Sequence, residues 1–288
     1  MSLMASREWC SVGQDGNEPA VKLSIMTWNM LADGLGLDSF ANIQPEQLQW
    51  QARKDAVLGA IVHHEPDVVC LQEVNRFNDF LEPELKSRGY SGFFSEKAKS
   101  PCTKFGFPKD GCAIFTKDEN VLVKSCECHA YESGGQIFQT CELGVKGFKI
   151  YLFNTHLKAK PDFEDLRVKQ VSQLLEKVDK LRQEDETCNI LFCGDLNTDP
   201  GGAVHKLVVS KGRFESAYMD LASEHFSTWK VRESEVKHCI DYIFYSGTNI
   251  TLKERLSVPD ESAVGAARLP SVNWPSDHIS LHAVFSLK

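Results

Sequence analysis

The stretch NILFCGDLNTDP, Asn189–Pro200, places two oxygen-bearing side chains directly after an apolar run. Ile190–Cys193 has the length and composition of a buried strand, and the glycine that follows allows the backbone to turn. Because residues two apart on an extended backbone point to the same side, we expect Asp195 and Asn197 to project together from a strand tip. Asp and Asn are also common in ordinary turns, so this stretch alone leaves both interpretations open.

The same pattern, an apolar run with a chemically capable side chain at its end, recurs five more times along the chain. The residues at these positions are Asn29, Glu73, His156, Asp241, Asp277 and His278. Oxygen ligands of this kind suit a hard cation such as Mg²⁺ or Mn²⁺. There is no nucleophile motif and no glycine-rich phosphate loop of the common types. The attack of water on a phosphate ester requires such groups, namely a hard cation beside carboxylates and histidines.

Strands in series, with helices between some of them, must position these side chains. The predicted strands are Val21–Trp28, Asp67–Val74, Tyr90–Phe94, Asp110–Phe115, Val121–Cys128, Gln136–Leu143, Phe148–Thr155, Ile240–Tyr245, Thr251–Leu256 and His278–Leu287. The predicted helices run from Pro45 to about His64, over Arg76–Arg88, from about Asp162 to Glu184, and over Ala203–Ser210. A site that draws on the whole chain predicts one α/β domain over residues 21–288, with two packed sheets flanked by helices. Residues 1–20 are polar and predicted to be a disordered lead-in.

Composition narrows the class of protein. A net charge of −8 over 288 residues argues against a broad basic face for nucleic acid. None of the ten cysteines forms a C-x-x-C pair, and several lie inside apolar runs, which indicates small hydrophobic residues in a reducing compartment. Cys126, Cys128 and His129 lack the four ligands and the spacing of a structural zinc site. With no membrane-length apolar stretch and no secretory segment, the expected location is cytoplasmic, and a longer form targeted to mitochondria stays open.

Six motifs together carry a resemblance to a known family. They are WNM at Trp28–Met30, LQEV at Leu71–Val74, THLKAK at Thr155–Lys160, GDLNTDP at Gly194–Pro200, HCIDYI at His238–Ile243 and LPSVNWPSDHISL at Leu269–Leu281. In type and order they resemble the endonuclease/exonuclease/phosphatase superfamily, and most closely its branch of nocturnins and carbon catabolite repressor-type deadenylases. The local stretches SPC, DGCAIF, TWK and RLPS support that branch. The resemblance implies a four-layer, deoxyribonuclease I-like sandwich.

The resemblance implies a catalytic role for five residues. Asp195 would orient the attacking water, and Asn197 would contact the phosphate and the transition state. His156 would donate to the phosphoryl oxygens. His278 would lie at the scissile phosphate, oriented by Asp241.

The resemblance also implies metal and substrate ligands. The implied metal ligands are Glu73, Asn29 and Asp277, and the implied substrate-binding residues are Asn29, Lys97, Lys158 and Lys160. Lys160 stands where the nocturnin branch is expected to carry arginine, and lysine lacks the planar fork for bidentate phosphate binding. The alternative for the three lysines is an ordinary solvated surface.

Three functions are compatible with these residues. The resemblance favours a Mg²⁺-dependent hydrolase, with Mn²⁺ as the alternative ion, that removes the 2′-phosphate of NADP(H), a small dinucleotide phosphate. The alternative is a 3′-exoribonuclease that shortens poly(A) RNA, but the acidic charge and the lack of a long basic groove favour the small ligand. An inactive binding scaffold is least favoured, because the catalytic residues are all present. We expect a monomer that binds neither DNA nor membranes.

Overall fold

Two mixed β-sheets packed face to face, with helices on their outer faces, form the fold in this computed structural model, which describes residues 7–13, 20–36, 40–219 and 225–288. One apolar cluster joins the facing sides of the two sheets, with Ile25 and Ile114 from the first and Leu152 and Leu191 from the second. The predicted four-layer, deoxyribonuclease I-like α/β sandwich is confirmed.

The first sheet has seven strands within the described residues, in the order β1-β14-β15-β2-β3-β5-β4. Their bounds are β1 Trp9–Ser11, β2 Val21–Asn29, β3 Val68–Val74, β4 Tyr90–Glu96, β5 Gly111–Lys117, β14 Ile250–Leu256 and β15 Leu281–Leu287. Strands β2 and β3 are parallel, and the other neighbours are antiparallel. The polar ends of β2 and β3 therefore lie at the same edge of the sheet.

The second sheet has six strands within the described residues, in the order β10-β13-β9-β8-β7-β6. Their bounds are β6 Leu122–Ala130, β7 Ile137–Val145, β8 Phe148–His156, β9 Asn189–Asp195, β10 Glu215–Ser216 and β13 Asp241–Ser246. Strands β8 and β9 are parallel. A separate hairpin, β11 Thr228–Val231 with β12 Glu235–His238, lies against the segment before β15 through a bridge from Thr228 to His278.

Helices cover the outer face of each sheet. Their bounds are α1 Pro45–Leu48, α2 Trp50–Val62, α3 Glu82–Lys86, α4 Glu164–Glu184, α5 Ala203–Ser210 and α6 Glu261–Val264. Helix α2 packs on the first sheet through Val57 and Ile61, and α4 packs on the second through residues such as Val171 and Leu174. No described helix is both long and apolar enough to span a membrane.

Several predicted bounds are wrong in detail. The helix expected from Pro45 to His64 is interrupted because Gln49 is extended, with ψ of 141°. The helix expected over Arg76–Arg88 is a π-helical turn, Phe77–Leu81, followed by the short α3. The final strand begins at Leu281 rather than His278, because the preceding residues form the loop that carries the site.

The expected disordered lead-in over residues 1–20 is wrong for residues 7–13. Strand β1 pairs with β14, and the buried guanidinium of Arg7 donates to the carbonyl oxygens of Ser257 at 2.6 Å and Ser280 at 2.8 Å. Residues 1–6 and 14–19 lie outside the described part of the chain.

One cysteine pair departs from the expected reduced state. Cys126 and Cys141 are cross-strand partners in β6 and β7 and form a disulfide. The other cysteines are free thiols, and most of them are buried as small hydrophobic residues, as expected.

Candidate active site

A row of three side chains crosses adjacent strands at one edge of the second sheet. His156 ends β8, Asp195 ends β9 and Asp241 begins β13. Asp195 is the register partner of both neighbours, and His156 Nε2 lies 3.5 Å from Asp195 Oδ2. Three residues far apart in sequence are therefore brought together by strand register alone.

Gly194 makes this row sterically feasible. A Cβ at this position would lie 2.0 Å from the carbonyl oxygen of Thr155, and the glycine has φ of 148°. Beyond the strand, Asn197 adopts a left-handed φ of 51°, which asparagine tolerates better than most residues. Its backbone N–H donates to Asp195 Oδ1 at 3.0 Å, and its side-chain amide donates to the Leu157 carbonyl at 3.1 Å. Asp195 and Asn197 lie together as expected. A turn after β9 brings them together, rather than the alternation of side chains along an extended strand.

The first sheet contributes Asn29 and Glu73 from the ends of β2 and β3. The Asn29 side-chain amide donates to Glu73 Oε1 at 3.1 Å and to Asp195 Oδ2 at 3.0 Å, so it bridges the two sheets. Glu73 has φ of 55° and lies where the pairing of β3 with β5 shifts register. Such a β-bulge redirects a side chain. The second carboxylate oxygen of Glu73 accepts the backbone N–H of Ala32 at 3.2 Å.

His278 approaches the same cluster from the loop before β15. Its Nδ1 lies 2.8 Å from Asp241 Oδ2, and its Nε2 lies 3.8 Å from Asp195 Oδ2. Ser276 Oγ donates to the Asn29 carbonyl at 2.6 Å and accepts the His278 N–H at 3.1 Å. The loop is thereby tied to β2, which holds the imidazole over the row.

Burial and close charges move the pKa values of two of these groups in the same direction. Burial and the Asp241 carboxylate raise the pKa of Asp195 to about 7, although His278 and Asn29 oppose the rise. For His278, burial favours the neutral ring, but the Asp241 and Asp277 carboxylates raise its pKa to about 9. At neutral pH the site therefore holds a cationic imidazole beside a carboxyl group poised between its two protonation states.

His156 is electrostatically the opposite of His278. Burial first, and then the positive charges of Lys97 and His278, lower the pKa of His156 well below its ordinary value. The ring is therefore neutral, and a neutral imidazole carries its single proton on one nitrogen only.

The donor set fits a hard divalent cation. Among the described residues, one group of three, Asp195, Asp241 and His278, has its potential ligand atoms within 4.8 Å of one another. The two carboxylates of this group can ligate a cation, whereas the cationic His278 ring has no free nitrogen lone pair for it. Asp241 Oδ1 is buried and has no hydrogen-bond partner among the described residues, which leaves an acceptor for a cation or a water molecule. Glu73 and Asn29, the predicted metal ligands, lie next to this group through Asp195.

Asp277, the third predicted metal ligand, has other partners. Its Oδ2 lies 2.6 Å from Lys230 Nζ and 3.6 Å from a guanidinium nitrogen of Arg232. Burial disfavours the charged carboxylate, but Lys230 and His278 hold the pKa of Asp277 well below its usual range. Asp277 is therefore already neutralised by protein cations, 3.9 Å from His278 Nε2.

The three predicted substrate-binding lysines differ in exposure. Lys97 is only 6% exposed and pairs with Asp110 at 2.6 Å. Although burial opposes its charge, the Asp110 and Glu73 carboxylates raise the pKa of Lys97. Lys158 is half-buried with its ammonium 5.0 Å from the centre of the Phe163 ring. Lys160 is exposed. Of the three lysines, only Lys97 is buried, so the alternative of an ordinary solvated surface charge is wrong for Lys97.

Sequence reasoning did not single out Asp110, Lys230 or Arg232 as site residues. Asp110 stands directly before the apolar strand β5, much as Asp241 opens the apolar strand β13. Lys230 and Arg232 are two residues apart, one in β11 and one just after it, so they point to the same side. Asp110 is the first residue of the stretch DGCAIF, and Lys230 is the last residue of TWK, with Arg232 two residues further on.

Residues 26–278 match the model of the endonuclease/exonuclease/phosphatase family. The chain belongs to this family, and it is a metal-dependent phosphoesterase. The family resemblance predicted from the six motifs is confirmed.

Within the family, the chain is similar to the nocturnins. It is 36% identical over 282 residues to nocturnin of Xenopus laevis, which covers 91% of this chain and 72% of that protein. The human nocturnin catalytic domain with bound sulfate superimposes with a TM-score of 0.82 at 29% identity, covering 100% of this chain and 99% of that one. The 3′-5′-exoribonuclease subunit Ccr4 of Emericella nidulans is 22% identical over 371 residues, covering 98% of this chain and 54% of that protein. This chain therefore spans about three quarters of the frog protein and about half of the fungal one.

Proposed function

We propose that this protein removes the 2′-phosphate of NADP(H) with the help of Mg²⁺, or of Mn²⁺ as the alternative ion. The observation that carries the hydrolytic part of the proposal is the convergence of Asn29, His156, Asp195 and His278 on one buried point where the two sheets meet. Similarity to the nocturnins and the acidic net charge of −8 favour a small anionic ligand over a long nucleic acid.

Each residue of the site has its own proposed role in the attack of water on a phosphate ester. Asp195 orients the attacking water and accepts its proton, since a pKa near neutrality suits a general base. His278, held cationic by Asp241, and His156, a neutral donor, stabilise the charge that builds on the phosphoryl oxygens. Asn197 is proposed to contact the same oxygens.

Glu73 and Asn29, with Asp195 beside them, are the residues proposed to hold the cation. When bound, it would neutralise charge on the phosphate and stabilise the transition state. Asp277 remains a proposed ligand only for a cation that displaces Lys230, since the two are paired at 2.6 Å.

Lys158 and Lys160 are proposed to hold the non-reacting phosphates of the dinucleotide. We also propose that residues 21–288 act as one catalytic domain, as a monomer in the cytoplasm, without DNA or membrane partners.

The alternative function is shortening of poly(A) RNA from the 3′ end. The Ccr4 exoribonuclease subunit among the similar proteins favours it, and both substrates present an adenosine beside a hydrolysable phosphate. An inactive scaffold is disfavoured, because the residues for water attack are present and assembled.

The deciding experiment compares phosphate release from NADP⁺ and NADPH with shortening of a labelled poly(A) oligomer in the same Mg²⁺ buffer. We expect phosphate release that EDTA abolishes and intact poly(A). Glu73→Ala should lose the activity and keep its thermal unfolding temperature within a few degrees, because this half-buried side chain packs little core.

Shortened poly(A) with untouched NADP(H) would replace the proposal by the exoribonuclease. Wild-type turnover by Glu73→Ala would contradict the metal assignment. No turnover of either substrate, with adenylate binding retained, would establish the scaffold.

A further inference from the structure

A buried ion pair lies directly behind His156, on the side away from the reacting groups. Asp110 is fully buried, and its Oδ2 accepts from Lys97 Nζ at 2.6 Å. Its Oδ1 accepts from Ser100 Oγ, which in turn accepts the backbone N–H of Asp110 at 3.0 Å. Both carboxylate oxygens are thus held by buried donors, and the position of the Lys97 ammonium is fixed.

The Lys97 ammonium also contacts the catalytic histidine. Lys97 Nζ lies 3.3 Å from His156 Nδ1. An ammonium group has three N–H donors and no acceptor, so a hydrogen bond here requires an unprotonated Nδ1. In a neutral ring the proton must then be on Nε2, the nitrogen that lies 3.5 Å from Asp195 Oδ2.

We infer that Asp110 and Lys97 are positioning residues that select the Nε2–H tautomer of His156. The role of His156 rests on the proposed function, whereas the tautomer can be measured without turnover. In this tautomer Nε2 donates toward Asp195 and the reacting phosphoryl oxygens. In the other, a lone pair on Nε2 would face those oxygens and repel them.

This role differs from the substrate-binding role that the sequence predicts for Lys97. The ammonium is 6% exposed, and two of its three N–H groups point to Asp110 and His156. A lysine so enclosed has little capacity left for a ligand. Lys158 and Lys160, which are more exposed, are better placed to contact substrate phosphates.

The first test is ¹⁵N NMR of histidine-labelled, metal-free protein. His156→Gln identifies the His156 resonances among those of the nine histidines. The wild type should show an unprotonated Nδ1 and a protonated Nε2. The variant Lys97→Met/Asp110→Asn removes both charges together, so that no buried charge is left unpaired, and should lose this pattern. A wild-type Nδ1–H tautomer, or an unchanged pattern in the double variant, would overturn the inference.

The second test is a mutant cycle on phosphate release. Lys97→Met/Asp110→Asn should lower kcat about 10- to 100-fold, as expected for a misdirected donor, with KM changed less than about twofold. In a His156→Ala background, the same pair of substitutions should cost less than about twofold. Lys97→Gln/Asp110→Asn, in which the glutamine amide can donate to Nδ1 and no buried charge is left unpaired, should restore part of kcat.

A raised KM, or a loss that persists without His156, would show that Lys97 acts on the substrate directly and would overturn the inference. Lys117→Met is the matched control, because Lys117 ends β5, the strand that follows Asp110, its side chain is 16% exposed and it also pairs with carboxylates. It should leave kcat unchanged. If the double variant does not fold, the wild-type tautomer still decides the question.

Discussion

Asp195 is hydrogen-bonded to both sheets at the site. One oxygen accepts from Asn29 of the first sheet, and the other accepts from the backbone of Asn197 in the turn after β9. Two imidazoles of opposite character flank it, the neutral His156 and the cationic His278. The difference arises because Lys97 faces one ring and Asp241 faces the other. Two identical side chains are thus assigned different roles by their nearest charged neighbour.

At the residue scale, Lys158 is the clearest test of substrate binding. Arg167 donates to its carbonyl oxygen at 2.8 Å and Gln170 accepts its N–H at 3.1 Å, so Lys158→Ala should keep the backbone in place. Loss of a charge-assisted hydrogen bond predicts a roughly 10-fold or greater fall in kcat/KM for NADP⁺, expressed mainly in KM. Steady-state kinetics of Lys158→Ala and of Lys169→Ala, an exposed lysine on α4, checks it. Equal kcat/KM values for the two variants would mean that Lys158 is an ordinary solvated lysine that does not bind the substrate.

At the scale of elements, a row of buried amides joins the sheets beneath the site. Asn154 Oδ1 accepts from Gln72 at 2.8 Å, and its amide donates to Gln139 Oε1 at 3.1 Å. These residues come from β3, β8 and β7, so the row fixes how the first sheet sits on the second. Unsatisfied amides in this core would be costly, which favours the one alignment that places Glu73 and His156 at the same edge.

The pairing of β8 with β9 gives a sharp prediction at this scale. Gly194→Ala should destabilise the protein by about 3 kcal/mol or more, because the new Cβ would lie 2.0 Å from the Thr155 carbonyl. Gly59→Ala, in α2 with nothing within 4 Å of the added atom, should instead stabilise it by about 0.5–1 kcal/mol. Urea unfolding of both variants measures the difference, and similar midpoints would contradict the close approach of the two strands.

At the scale of the whole molecule, burial also reaches histidines outside the site. Burial lowers the pKa of His225 to about 4, where its ring stacks on Tyr218 at 5.2 Å. Burial and the neighbouring His63 lower the pKa of His64 to about 4 as well. Each is neutral in the folded protein but titrates near 6.5 when unfolded. The unfolded state therefore binds more protons between about pH 6.5 and 4, and stability is lost as the pH falls through that window.

His225→Phe should reduce this acid sensitivity, because phenylalanine can keep the stack on Tyr218 without titrating. We expect the free energy of unfolding of the variant to fall by roughly 1–3 kcal/mol less than that of the wild type between pH 7 and pH 4.5. Urea titrations at several pH values measure it. Parallel pH profiles for the two proteins would mean that His225 is not held neutral by the fold.

The sequence by itself predicted most of the strands along the chain, the main residues of the candidate site and the class of chemistry. These properties are local, because each apolar run and the polar residue at its end are contiguous in the chain. Because neighbouring parallel strands run in the same direction, their polar ends meet at the same edge of the sheet, as His156 and Asp195 do.

Only the tertiary structure decided which charges became partners. The pairs Lys97–Asp110 and Lys230–Asp277, the order of β1 against β14 and the Cys126–Cys141 disulfide all depend on which segments become neighbours. The composition of the chain sets which charged groups exist, but desolvation and distance, which exist only in the folded chain, set their partners and their pKa values. For that reason Lys97, for which the sequence offered a substrate-binding role or a solvated surface, lies buried behind His156.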